Sequence, residues 1–101
     1  MIDVDRTALG RIAVEKAALT RLVREAAERV EGVHAVRARR GTHIEVSEHR
    51  AVAVSLAVVA RAGAVLPELG GRVQERVAEV VRTALEPSSL RVDVTIEEVT
   101  G

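Results

Sequence analysis

The chain has no cysteine and no phenylalanine, tyrosine or tryptophan. Without cysteine, neither a disulfide framework nor a thiolate metal site can form. Without aromatic rings, the stacking platforms of many single-strand nucleic-acid binders are excluded, and the core has to be filled by Val, Leu, Ile and Ala. An excess of one charge is missing too. Fifteen Lys and Arg balance fifteen Asp and Glu, so no global pull toward nucleic acid or anionic membrane is expected. The longest apolar stretch, Ala51 to Ala60, is far below the roughly 20 residues of a membrane span, and Met1 to Arg6 is too charged for a secretory signal. These features predict a cytoplasmic protein. At 101 residues, one domain over 1–101 is expected, burying roughly 60–68% of its unfolded surface.

What is present is organised around Leu66 to Leu85. Leu66, Leu69, Val73, Val77, Val80, Val81, Ala84 and Leu85 recur at helical spacing, with Glu68, Arg72, Glu75, Arg76, Glu79 and Arg82 between them. Pro67 suits the first turn, where its missing N–H is no loss, and Pro87-Ser88-Ser89 stops the helix. The double glycine Gly70-Gly71 costs about 1 kcal/mol per residue of helix propensity and predicts close backbone packing or a kink. Beyond the stop, Leu90, Val92, Val94 and Ile96 alternate with Arg91, Asp93, Thr95 and Glu97, the period of a strand with one buried face.

Earlier in the chain, Gly10 to Val14 reads as a short strand with Ile12 and Val14 on one face. From about Glu15 to Val30 the spacing is helical, with Leu19, Leu22, Val23, Ala26, Ala27 and Val30 sharing a face, and Gly32 supplies the freedom a helix end uses. Val33 to Arg39 reads as a strand, and polar Gly41 to Arg50 as a hairpin connection that includes strand around Ile44 and Val46. Val52, Val54, Leu56 and Val58 make one face of a strong strand; Ala53, Ala57 and Val59 make the other nearly as apolar, interrupted by Ser55. The predicted order is β-α-β-β-α-β, an α+β two-layer sandwich with two helices on one face of a small sheet. The opposite sheet face then stands open unless a partner or a second copy covers it.

Candidate chemistry is sparse. His34, His43 and His49 share one segment with Arg37, Arg39, Arg40 and Arg50, but intervals of nine and six residues match no metal-ligand spacing, and surface-loop histidines are the expectation. No metal and no cofactor is predicted. The arginines Arg37, Arg39 and Arg40 read as a defended strand edge or, in a different class, as a small nucleic-acid-binding patch. The element order suggests an RNA-recognition fold, but that module reads bases with sheet aromatics. A KH loop needs Gly-x-x-Gly between helices, whereas Gly70 and Gly71 are adjacent and inside one. There is no Gly-x-Gly-x-x-Gly, no Walker loop and no Gly-x-Ser-x-Gly around Ser47, Ser55, Ser88 or Ser89. Glu97 and Glu98 are adjacent on a strand and face opposite sides, which does not suit a shared proton. The expectation is a protein that is not an enzyme.

Two stretches nevertheless have a familiar look. Gly10-Arg-Ile-Ala-Val with Ala26-Ala-Glu-Arg-Val-Glu-Gly-Val33 resembles the opening of the alkaline-shock, or envelope stress response, family of bacterial proteins. The run from Val52 to Gly63, then Val65-Leu-Pro-Glu-Leu, Val73-Gln-Glu-Arg-Val and Leu90 to Val99, is similar to that family's strand, helix and closing strand in the same order. Glu31-Gly32-Val33 and Val73-Gln74-Glu75 are the most specific pieces; Pro87-Ser88-Ser89 departs from an expected Thr-Gly pair, and the long charged tails of larger members are missing. The resemblance implies a non-enzymatic cytoplasmic protein that self-associates, is held beneath the cell membrane by a membrane-anchored partner, and supports the envelope under stress. The contact residues expected on this reading are Ala53, Ser55, Ala57 and Val59, with Arg37, Arg39 and Arg40 as a charged rim.

Overall fold

A computed structural model of the chain describes residues 4–37 and 41–100, with backbone alone for 4–15 and 98–100. The order is α1 (Val4–Glu28), β1 (Val33–Val36), β2 (Thr42–Val46), β3 (Ala51–Arg61), α2 (Leu66–Leu85) and β4 (Ser89–Thr100). The α+β two-layer arrangement is the expected one. The strand expected over Gly10 to Val14 is instead part of α1, so the described order is α-β-β-β-α-β. Two apolar residues in alternation are too few to define a strand, and Ile12 stands seven residues before Leu19, at the spacing of the helix that follows. The Ala-rich stretch carries that helix backward through the supposed strand.

α1 ends at Glu28, and in the turn that leads from it into β1 Gly32, at φ 99°, takes the left-handed conformation that its missing side chain permits. α2 has the bounds its spacing predicts. Its first turn holds Pro67, and it closes on a left-handed Glu86 whose N–H donates to the Arg82 carbonyl at 3.0 Å. The hairpin turn before β3 is fastened to that end: the Arg50 guanidinium donates to the Leu85 carbonyl, and the Ser88 hydroxyl donates to the His49 carbonyl at 2.6 Å.

β3 is the centre of the sheet. β1 and β2 both pair with it antiparallel, β1 through Val36↔Val58 and β2 through Thr42↔Leu56 to Val46↔Val52, so they lie end to end along one edge. β4 runs parallel along the other edge, from Ala51↔Ser89 to Val58↔Ile96, with a register shift before Val59. At the junction of β1 and β2 one residue of β3 serves both: Arg37 N–H donates to the Ala57 carbonyl at 3.0 Å, and Ala57 N–H donates to the Gly41 carbonyl at 2.7 Å.

Both helices cover one face of this sheet. Leu19, Val23 and Ala27 of α1 and Leu69, Val73, Val77 and Val81 of α2 pack on Ile44 and on Val52, Val54, Leu56, Val58 and Ala60 of β3. The fully buried Val and Leu side chains contribute about 1.5–3 kcal/mol each by leaving water. On the edge strand β4, Leu90, Val92, Val94 and Ile96 are only partly buried, and the Gln74 amide of α2 donates to the Val92 carbonyl at 3.0 Å. Gly70 and Gly71 do not mark a close approach of another element: a Cβ built on either meets nothing within 4 Å beyond its own stretch of helix backbone.

Candidate interaction surface

Alternation along β3 decides what the uncovered face presents. Its even-numbered residues point to the helices, so Ala51, Ala53, Ser55, Ala57 and Val59 point the other way. Strand register then sets out rows across that face. Glu45, Ala53 and Arg91 form one row; His43, Ser55 and Asp93 form the next; Arg37, Ala57 and Thr95 form a third. The middle column is small and nearly uncharged, and both flanking columns are polar.

The flanking charges are paired within the chain. His43 Nε2 lies 3.1 Å from Glu45 Oε1, Arg91 Nε lies 3.0 Å from Asp93 Oδ2, and Arg37 Nε lies 3.3 Å from Glu97 Oε1. The first two pairs join residues two apart on one strand, which share a face by geometry. All are exposed enough that each contributes at most about 1 kcal/mol to stability. Their main effect is to set a pattern of alternating sign.

Of the residues expected to make contacts, Ala53 and Ala57 are half-buried and Ser55 is exposed on this face, while Val59 is only 8% exposed. Arg37 stands beside them on the β1 column. Arg39 and Arg40 lie outside the described residues. The histidines are dispersed: His34 is on β1 beside the far end of β3, His43 is on β2, and His49 is in the turn before β3. Among the described residues no group of three or more His, Cys, Asp or Glu could hold a metal ion. No described helix is long and apolar enough to cross a membrane.

Sequence reasoning missed His43, Glu45, Arg91, Asp93 and Thr95 as members of this face. Period-two alternation marked Arg91, Asp93 and Thr95 as the wet side of their strand. Which side of the sheet that is, and which β3 residue each stands beside, follows only from the pairing.

No protein-family model matches the sequence, and no curated protein matches it. The fold is similar to that of the MamM CTD. The copper form of the MamM CTD has a TM-score of 0.61 at 22% identity, covering 81% of this chain and 84% of that one. The zinc form of a MamM CTD variant has a TM-score of 0.61 at 22% identity, over 82% and 85% of the two chains. A further MamM CTD structure has a TM-score of 0.54 at 19% identity, over 81% of this chain and 99% of that one. At these identities the likeness is one of fold.

Proposed function

We propose that this chain is a non-enzymatic assembly module whose open sheet face joins it to other copies or to a membrane-anchored protein, in the service of the bacterial envelope stress response. The observation that carries the assembly reading is the column Ala53, Ser55 and Ala57, a small, weakly polar strip in the centre of a sheet face that no element of the described chain covers. Small side chains let another surface approach closely, and the polar columns on either side form a rim. The stress-response part rests on the resemblance of Glu31-Gly32-Val33, Val73-Gln74-Glu75 and the flanking strands to the alkaline-shock family. The cytoplasmic placement and the tether through a membrane-anchored partner come from the same resemblance. The neighbours in fold are named for copper and zinc forms, but metal is no part of this proposal, given the dispersed histidines. A nucleic-acid role for Arg37, Arg39 and Arg40 gains little from the fold, because Arg37 is paired with Glu97.

The test is native mass by light scattering behind size exclusion, over a dilution series and at two salt concentrations, detected by refractive index because the chain has no aromatic residue. A dimer or larger species is expected, and Ala57→Glu should leave the circular dichroism spectrum unchanged while abolishing it. A monomer at all concentrations, or an Ala57→Glu variant of unchanged mass, overturns self-association through this face.

A further inference from the structure

We infer that two copies meet open face to open face about a two-fold axis running parallel to β3, so that the β2 column of each copy lies over the β4 column of the other. This rests on the proposed assembly through the open face and goes further by specifying the partner and the geometry. A symmetric dimer is isologous, with one patch facing itself, so the charge pattern has to be complementary to its own rotated image. Sheets that pack face to face also keep their strand directions within about 30° of one another, which leaves two placements of the axis, along the strands or across them.

With the axis along β3, rows are kept and the outer columns exchange. Ala53 and Ser55 then face their own counterparts along the axis, and Ala57, beside the Arg37–Glu97 pair, continues the same column. Glu45 lies over Arg91 of the second copy, His43 over Asp93, and Arg37 over the stretch from Thr95 to Glu97. Each flanking charge that faces a charge faces one of opposite sign, His43 when protonated. Because His43 already pairs with Glu45, and Arg91 with Asp93, the two copies would close each set of four groups into a ring of alternating sign. Arg61, at the exposed end of β3, is the described charge that comes over its own counterpart, in a position open to solvent screening.

With the axis across the strands the columns are kept and the rows invert. Centred on Ser55, this sets His43 on His43 and Asp93 on Asp93 and leaves Arg91 over Thr95, with Glu45 over Arg37 as its single opposite-charge approach. Centred on Ala53, it sets Glu45 on Glu45 and Arg91 on Arg91. Centred midway between these rows, it sets Glu45 over His43 and Arg91 over Asp93 but leaves Arg37 and Glu97 facing no charge. Like charges brought together oppose association, and the axis along the strands is the placement that sets opposite signs over one another in all three rows, so the pattern favours it. Three columns at about 4.8 Å and some ten residues at about 3.3 Å bury on the order of 1,000 Å² over both copies, the low end for a specific interface, so the dimer exchanges on dilution.

Charge reversal separates the two axes. Glu45 and Arg91 have side chains 72% and 77% exposed, so Glu45→Arg and Arg91→Glu do not disturb the core. Each reversal acts twice in a two-fold dimer, and each variant alone should dissociate about tenfold more readily than the unaltered protein. An equimolar mixture of the two should regain the original dimer, because each reversed residue then faces an opposite charge. Analytical ultracentrifugation of the singles and the mixture reads this directly, with Ala57→Glu alongside. If Ala57→Glu abolishes the dimer but the mixture is no tighter than the singles, the axis is wrong and assembly through the face stands. If the unaltered protein is monomeric, or Ala57→Glu does not weaken it, both readings fall.

Discussion

Arg37 and Glu97 form an ion pair across the back of a third strand. Arg37 follows β1 on one edge of β3 and Glu97 belongs to β4 on the other, yet Arg37 Nε and Glu97 Oε1 are 3.3 Å apart. Strands lie about 4.8 Å apart, so the two backbones are separated by roughly 10 Å and the side chains have to reach toward each other over β3. They can do so because the β3 residue beside Arg37 is Ala57, whose methyl group leaves room. The register shift between β3 and β4 falls at the same place, placing Glu97 between the residues paired with Val58 and Val59. Val59, which faces this side, is 8% exposed next to the bridge. The pair therefore closes the open face at Ala57 and leaves Ala53 and Ser55 as its more accessible strip.

Gly41 is required where β1 passes into β2. A Cβ at this position would overlap the Arg37 carbonyl oxygen and come within 2.6 Å of the Arg37 Cβ. The close approach is what lets Arg37 and Gly41 both hydrogen-bond to Ala57. Gly41→Ala should cost at least about 2 kcal/mol, as the local backbone has to shift, and urea unfolding followed by circular dichroism at 222 nm will show it. A loss below about 0.5 kcal/mol would mean that the junction is not held as described.

The double glycine of α2 behaves in the opposite way. Both residues are helical and partly exposed, and a Cβ on either enters open space. With no contact to lose, Gly70→Ala and Gly71→Ala should each stabilise the fold by up to about 1 kcal/mol, through helix propensity and a less disordered unfolded chain. Measured midpoints of urea unfolding should rise, and nearly additively. A fall at either position would point to a need for glycine there.

Thr42 offers a third change. Its Oγ1 is buried and has no hydrogen-bond partner among the described residues, on a residue that pairs with the core residue Leu56. An unsatisfied hydroxyl carries a desolvation penalty that an apolar group of the same shape avoids. Thr42→Val should raise stability by about 1 kcal/mol without changing the association state, as read from thermal unfolding and light scattering. Destabilisation would show that the hydroxyl has a partner in solution.

How much of this was legible in the sequence varies by element, and the reasons are physical. Leu66–Leu85 and the strands around Val54 and Val92 were readable because their period is long, regular and bounded by Pro67, Gly63 and Pro87, signals that are local to the chain. Gly10 to Val14 was misread because two alternating residues carry too little pattern to outweigh the helix next to them. Ala53, Ser55 and Ala57 were legible as the second face of β3, since alternation alone assigns a face. Their neighbours Glu45, His43, Arg91 and Asp93 were not. By itself the sequence determined the class, the amphipathic faces and the absence of aromatic and thiol chemistry, because these follow from composition and short-range period. Only the tertiary structure decided which charges stand beside which small residues, because β1, β2 and β4 take their places against β3 through pairings between residues far apart in the chain.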